Sequence, residues 1–109
     1  MEAALELEGR RFFVVRRSGR DGTVVALGRV VATRAAAAAL SSEDITRALA
    51  RHARGDWGEV CDEDREANEV ALREGARLLS VYDSSTKVRF WVITEADRSA
   101  TTVLLPDDY

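Results

Sequence analysis

The stretch Thr94–Thr102 (Thr-Glu-Ala-Asp-Arg-Ser-Ala-Thr-Thr) is where this 109-residue sequence comes nearest to a chemistry. It reads as a polar hairpin tip between two strong strands, with Arg77 and Tyr82 on the strand before. Arg77 and Arg98 could hold a phosphate there, with Glu95 or His52 handling a proton. The same residues also fit ordinary turn chemistry. In that reading Asp97 and Ser99 bond backbone, and Arg98 pairs with Glu95 or Asp97 in solvent for under about 1 kcal/mol.

Two other residues carry reactive groups. His52, in Arg51-His-Ala-Arg-Gly-Asp-Trp-Gly58, is the one histidine. Near a helix C-terminus it caps carbonyls or packs on the neighbouring indole, or serves as a base or acid if a pocket faces it. Cys61 is the one cysteine and precedes a helix N-terminus, where the dipole lowers a thiol pKa. Its neighbours Glu59, Asp62, Glu63 and Asp64 oppose that shift, so a small buried hydrophobe is expected. No phosphate-binding glycine loop, metal-ligand spacing, nucleophile elbow or dinucleotide fingerprint is present. Neither a metal nor a cofactor is expected.

The elements that must position these residues follow from period and punctuation. Ala76–Pro106 contains three runs rich in β-branched and aromatic residues separated by turns, an antiparallel meander. Upstream, Arg10–Arg17 and Gly22–Ala32 flank the turn Ser18–Gly22 and predict an N-terminal hairpin, with Gly28 a bulge or bend. Six arginines make that region the most basic of the chain, fitting charged edge strands or a binding edge for an acidic partner. Thr33 is placed to cap a short helix Arg34–Leu40. Ser41 or Ser42 should cap a second helix to about Ala53, with Ile45, Leu49 and His52 or Ala53 on one face. Asp62 should cap a third, Glu63–Glu74, with apolar Ala67, Val70 and Ala71 on adjacent helical faces and Gly75 ending it. Trp57 is expected as an anchor between two helices. The predicted class is α+β: N-terminal hairpin (1–32), two to three short helices (33–75), then a three-stranded meander (76–106) packed on them, all one domain. Along Lys87–Glu95, Val88, Phe90 and Val92 alternate with Arg89, Trp91 and Ile93, so that strand should be central and covered on both faces.

Composition bounds the function. Hydrophobic residues are 46% and charged residues 32%, an ordinary globular balance. The net charge of −3 argues against nonspecific duplex DNA binding, which needs a basic surface. No apolar run approaches the ~18 residues of a membrane span. The acidic N-terminus is unlike a secretion signal, and one cysteine suits a reducing compartment. The expectation is a cytoplasmic protein with no membrane partner.

Two resemblances enter on particular residues. Leu27–Thr33, Arg51–Gly58, Arg77–Tyr82 and Ile93–Pro106 look like a family of short bacterial proteins of plasmids, prophages and integrative elements. Some carry a label as a type I restriction subunit, although this chain has no methyl-donor glycine motif. That resemblance implies a setting, not an activity. Helices followed by a meander, with Arg77-Leu-Leu-Ser entering it and Asp97-Arg98-Ser99 at the last hairpin, are similar to barnase/RelE-like ribonucleases. That likeness implies metal-independent RNA cleavage, with Arg77 on phosphate. It also places Arg98 where barnase-type enzymes carry an acid histidine, and finds no carboxylate at the base position.

Two functions result. The first is an accessory protein of a mobile element that binds a protein, as an anti-restriction or anti-CRISPR inhibitor does. Trp57, Asp62, Asp64, Glu66 and Trp91 are its candidate contacts, and the carboxylates could mimic a nucleic-acid backbone. The alternative is a toxin-like ribonuclease using His52, Arg77, Tyr82, Glu95 and Arg98 on RNA. A homodimer fits either.

Overall fold

A computed structural model describes residues Ala4–Glu6 and 24–109. The fold is α+β, three helices against a mixed sheet. The elements are β1 (Ala4–Glu6), β2 (Arg29–Thr33), α1 (Arg34–Ala39), α2 (Ser42–Ala53), α3 (Asp62–Glu74), β3 (Leu78–Asp83), β4 (Arg89–Thr94) and β5 (Ala100–Leu104). A 3₁₀ turn, Pro106–Asp108, follows. The predicted strand Arg10–Arg17 and turn Ser18–Gly22 lie outside the described residues. Of the predicted strand Gly22–Ala32, the described residues 24–28 are not strand and Arg29 onward is.

The meander forms as expected: β3 pairs with β4, and β4 with β5, both antiparallel. The sheet order is β1-β2-β5-β4-β3, and β2 runs parallel to β5. That parallel pair joins strands far apart in sequence, which no local turn signal encodes. Gly28 lies just before it with φ +66°, and a Cβ there would collide with the backbone at Arg98 and Ser99. Only glycine admits that approach.

Helix ends follow side-chain chemistry. Thr33 and Ser41 cap α1 and α2 by accepting from the Ala36 and Asp44 amides. The start of α3 corrects the sequence reading. Asp62 is its first helical residue, and Cys61 occupies the cap position without a side-chain bond. Cys61 is exposed, not buried, because the acidic first turn around it faces solvent. Gly75 closes α3 in the left-handed conformation.

The core lies between the helices and one sheet face. Ile45, Ala48, Leu49 and Ala53 of α2 join Leu78, Tyr82, Phe90, Val92 and Val103 in one cluster, with Trp57 between α2 and α3. On the other face Val31, Ile93 and Leu104 are also buried, outside that cluster. The doubly apolar β4 is therefore an inner strand, and on its second face Ile93 is buried, Trp91 half-buried and Arg89 exposed. α3 does not bury its apolar set as a whole: Ala67 and Val70 face solvent, and Asn68 is buried beside Ala71. The Asn68 carboxamide supplies the reason. It donates to Leu79 O at 2.7 Å and accepts from Leu79 N at 3.1 Å. Val81, two residues on, gives its N–H to Trp57 O and takes that of Glu59. The free edge of β3 is thereby closed by one side chain and one loop.

Candidate functional site

The residues proposed for phosphate chemistry divide into buried and exposed sets. His52 is fully buried on α2, where the helix turns its apolar face to the sheet. Its Nδ1 lies 2.6 Å from Ser80 Oγ and its Nε2 2.9 Å from Thr94 Oγ1. The Trp57 ring meets it edge-on at 5.7 Å, the indole packing foreseen from sequence. Burial, with the nearby Arg98 charge, pushes the imidazole down to about 3, so it is neutral near pH 7. Tyr82 is also buried, donates to Asp56 O at 2.6 Å, and carries Arg51 over its ring. Burial raises its phenol above the ordinary value. Among the described residues, Tyr82 borders an indentation of about 30 Å³ between α2 and the β3–β4 end.

Arg98 has a different task from the one expected. It sits at φ +62° in the β4–β5 turn, where glycine is the usual occupant. Its guanidinium donates to the carbonyls of Ala71, Ala76, Glu95 and Ala96, at 2.7 to 3.2 Å. Two of these belong to the end of α3 and the link into β3. Arg98 therefore ties three segments together and makes no pair with Glu95 or Asp97, as the turn reading had proposed. Asp97 does bond backbone, accepting from Ser99 N at 3.0 Å.

Arg77 is the partner of Glu95 instead, at 3.3 Å. It also donates to the Tyr109 hydroxyl at 2.9 Å. Glu95 raises the Arg77 guanidinium further above the ordinary arginine value. The Tyr109 ring meets half-buried Trp91 at 5.5 Å, so Tyr109 bridges Trp91 and Arg77 over the second sheet face. Sequence reading missed Tyr109, Asn68 and Ser80, and it gave Thr94 and Thr101, inside the polar stretch it singled out, no role of their own. Each matters only through a residue distant in the chain.

The candidate binding residues also separate. Trp57 is 2% exposed, its Nε1 donating to Glu69 at 3.0 Å, so it is an anchor and not a contact surface. Asp62, Asp64 and Glu66 are exposed on α3. That helix carries six carboxylates and two arginines, and only Asn68 and Ala71 are buried. Among the described residues, no group of three His, Cys, Asp or Glu side chains could hold a metal ion. Among them also, no helix is long and apolar enough to cross a membrane. No family model, curated protein or solved structure matches this chain.

Proposed function

We propose that this chain is a binding protein that acts by occupying another macromolecule, with α3 as its contact element. The observation that carries the reading is how α3 is mounted. A 13-residue helix is held through Asn68, Ala71, half-buried Leu72 and the Trp57–Glu69 bond, and leaves Asp62, Asp64 and Glu66 in solvent. Exposed carboxylates on a helix complement a basic surface and steer encounter with it. Proteins that handle nucleic acid present such surfaces, which fits an accessory factor of a mobile element inhibiting a host defence complex.

The ribonuclease alternative needs an arginine pair and a proton donor on one cleft. His52 and Tyr82 are enclosed, and Arg98 is engaged by four carbonyls. Arg77 and Glu95 alone keep the exposure such a site requires.

The test is capture from host lysate by the immobilised full chain and by the Asp62→Asn, Asp64→Asn, Glu66→Gln variant. The reading expects a reproducible protein partner that the variant loses and that added salt weakens. No reproducible partner, or equal capture by both forms, would refute it.

A further inference from the structure

The polar residues beneath α2 form a single hydrogen-bonded chain. His52 Nδ1 touches Ser80 Oγ of β3, and its Nε2 touches Thr94 Oγ1 of β4. Thr94 Oγ1 lies 2.7 Å from Thr101 Oγ1 of β5, which donates to the Leu27 carbonyl at 2.7 Å. All four side chains are 0% exposed.

Proton counting gives the chain one direction. A carbonyl only accepts, so the single Thr101 proton goes to Leu27. Thr94 must then donate to Thr101, and therefore accepts from His52 Nε2–H. Nδ1 is left as an acceptor, filled by the Ser80 O–H. A neutral ring protonated on Nε2 satisfies every contact in the chain.

We propose that this chain is a proton-operated latch, in which a proton on His52 Nδ1 reverses the Ser80 contact and releases α2 from β3 and β4. The added proton would point at the Ser80 hydroxyl hydrogen, and Ser80 must rotate to accept it. No carboxylate contacts the ring among the described residues. Trp57 faces it edge-on, and its indole N–H is turned to Glu69 of α3. Tyr82, next on that face of β3, gives its hydroxyl to Asp56 O. The charged group acting on the ring is Arg98, of the β4–β5 turn, which opposes a second positive charge.

The sign follows from the two states. The unfolded ring takes a proton below about 6.5, whereas burial holds the folded ring neutral down to about 3. This contribution to stability is complete above 6.5 and drains as pH falls from 6.5 toward 3.

Gln at position 52 can donate to Thr94 and accept from Ser80 without titrating. Between pH 6.5 and 5 the wild-type unfolding equilibrium constant should rise about sixteenfold in all, and that of His52→Gln should stay nearly flat. Equal slopes would overturn the proposal. Two measurements on the wild type stand even if the variant fails to fold. Nitrogen NMR should find His52 protonated on Nε2 alone at pH 7; the Nδ1–H form there, or imidazolium at pH 5 with the α2 amides still protected, contradicts the latch. Hydrogen exchange corrected for intrinsic rates should show α2 amides opening ahead of β3 and β4 at pH 5. Simultaneous opening of all three would mean global unfolding and no latch.

Discussion

α2 and α3 are nearly equal in length, 12 and 13 residues, and are used in opposite ways. α2 buries Asp44, Ile45, Ala48, Leu49, His52 and Ala53, a complete helical face. α3 buries Asn68 and Ala71. One helix is an anchor whose side chains are consumed by the fold. The other is a display whose side chains are left over. Apolar spacing sets the first outcome, and a single carboxamide on a strand edge sets the second.

The largest expected effect tests the anchor. Leu49 is 1% exposed within the main cluster. Leu49→Ala should cost about 2–5 kcal/mol in urea unfolding. Val70→Ala on α3, where Val70 is 41% exposed, should change stability by less than about 0.5 kcal/mol. Similar losses at the two sites would erase the distinction between the helices.

Asn68 comes next, because α3 depends on it. Asn68→Ala leaves the Leu79 N–H and C=O without their partner and should cost about 1–3 kcal/mol. Exchange of the Leu79 amide should accelerate more than that of Val81, whose partners are backbone. Unchanged Leu79 protection would mean that another group closes this edge.

Arg98 sharpens the contrast at the far end of α3. Arg98→Ala removes four carbonyl contacts from a partly exposed side chain and should cost about 1–2 kcal/mol. Arg98→Gly loses the same contacts but relieves the positive φ, so it should be milder by up to about 1 kcal/mol. If alanine and glycine were equally harmful, backbone conformation would play no part at this turn.

A small effect is also expected at Arg77. Its pair with Glu95 is exposed, so Arg77→Ala should shift stability by less than about 1 kcal/mol. Purified wild type and variant should both leave total RNA intact in EDTA. Cleavage by the wild type and its loss in Arg77→Ala would restore the ribonuclease reading.

The legible and illegible parts of this chain differ by range. Thr33 and Ser41 caps, the Gly75 terminator, the α2 face and the β3–β4–β5 meander rest on neighbours within a few residues, and sequence displays them. The His52–Trp57 contact was readable because five residues separate the pair. The parallel β2–β5 pair, the Asn68 bond to Leu79 and the four carbonyls on Arg98 join distant segments. Asn68 reads as surface because a polar residue on a helix ordinarily is. Cys61 misled for the converse reason: its type favours burial, while its place at the start of an acidic helix exposes it. Of the candidate site, residue types were visible, but whether each was available was not.

The central claim is that α3 meets a partner through its exposed carboxylates. Cys61, exposed at the start of α3, is the only cysteine and gives one attachment point for a photoreactive cross-linker. Irradiation in host lysate should join one reproducible protein to the labelled wild type. Labelled Asp62→Asn, Asp64→Asn, Glu66→Gln protein should lose that product while its stability falls by only about 1 kcal/mol, since acidic residues in a helix's first turn contribute modestly. No product, or the same product at equal yield from both proteins, would contradict the account.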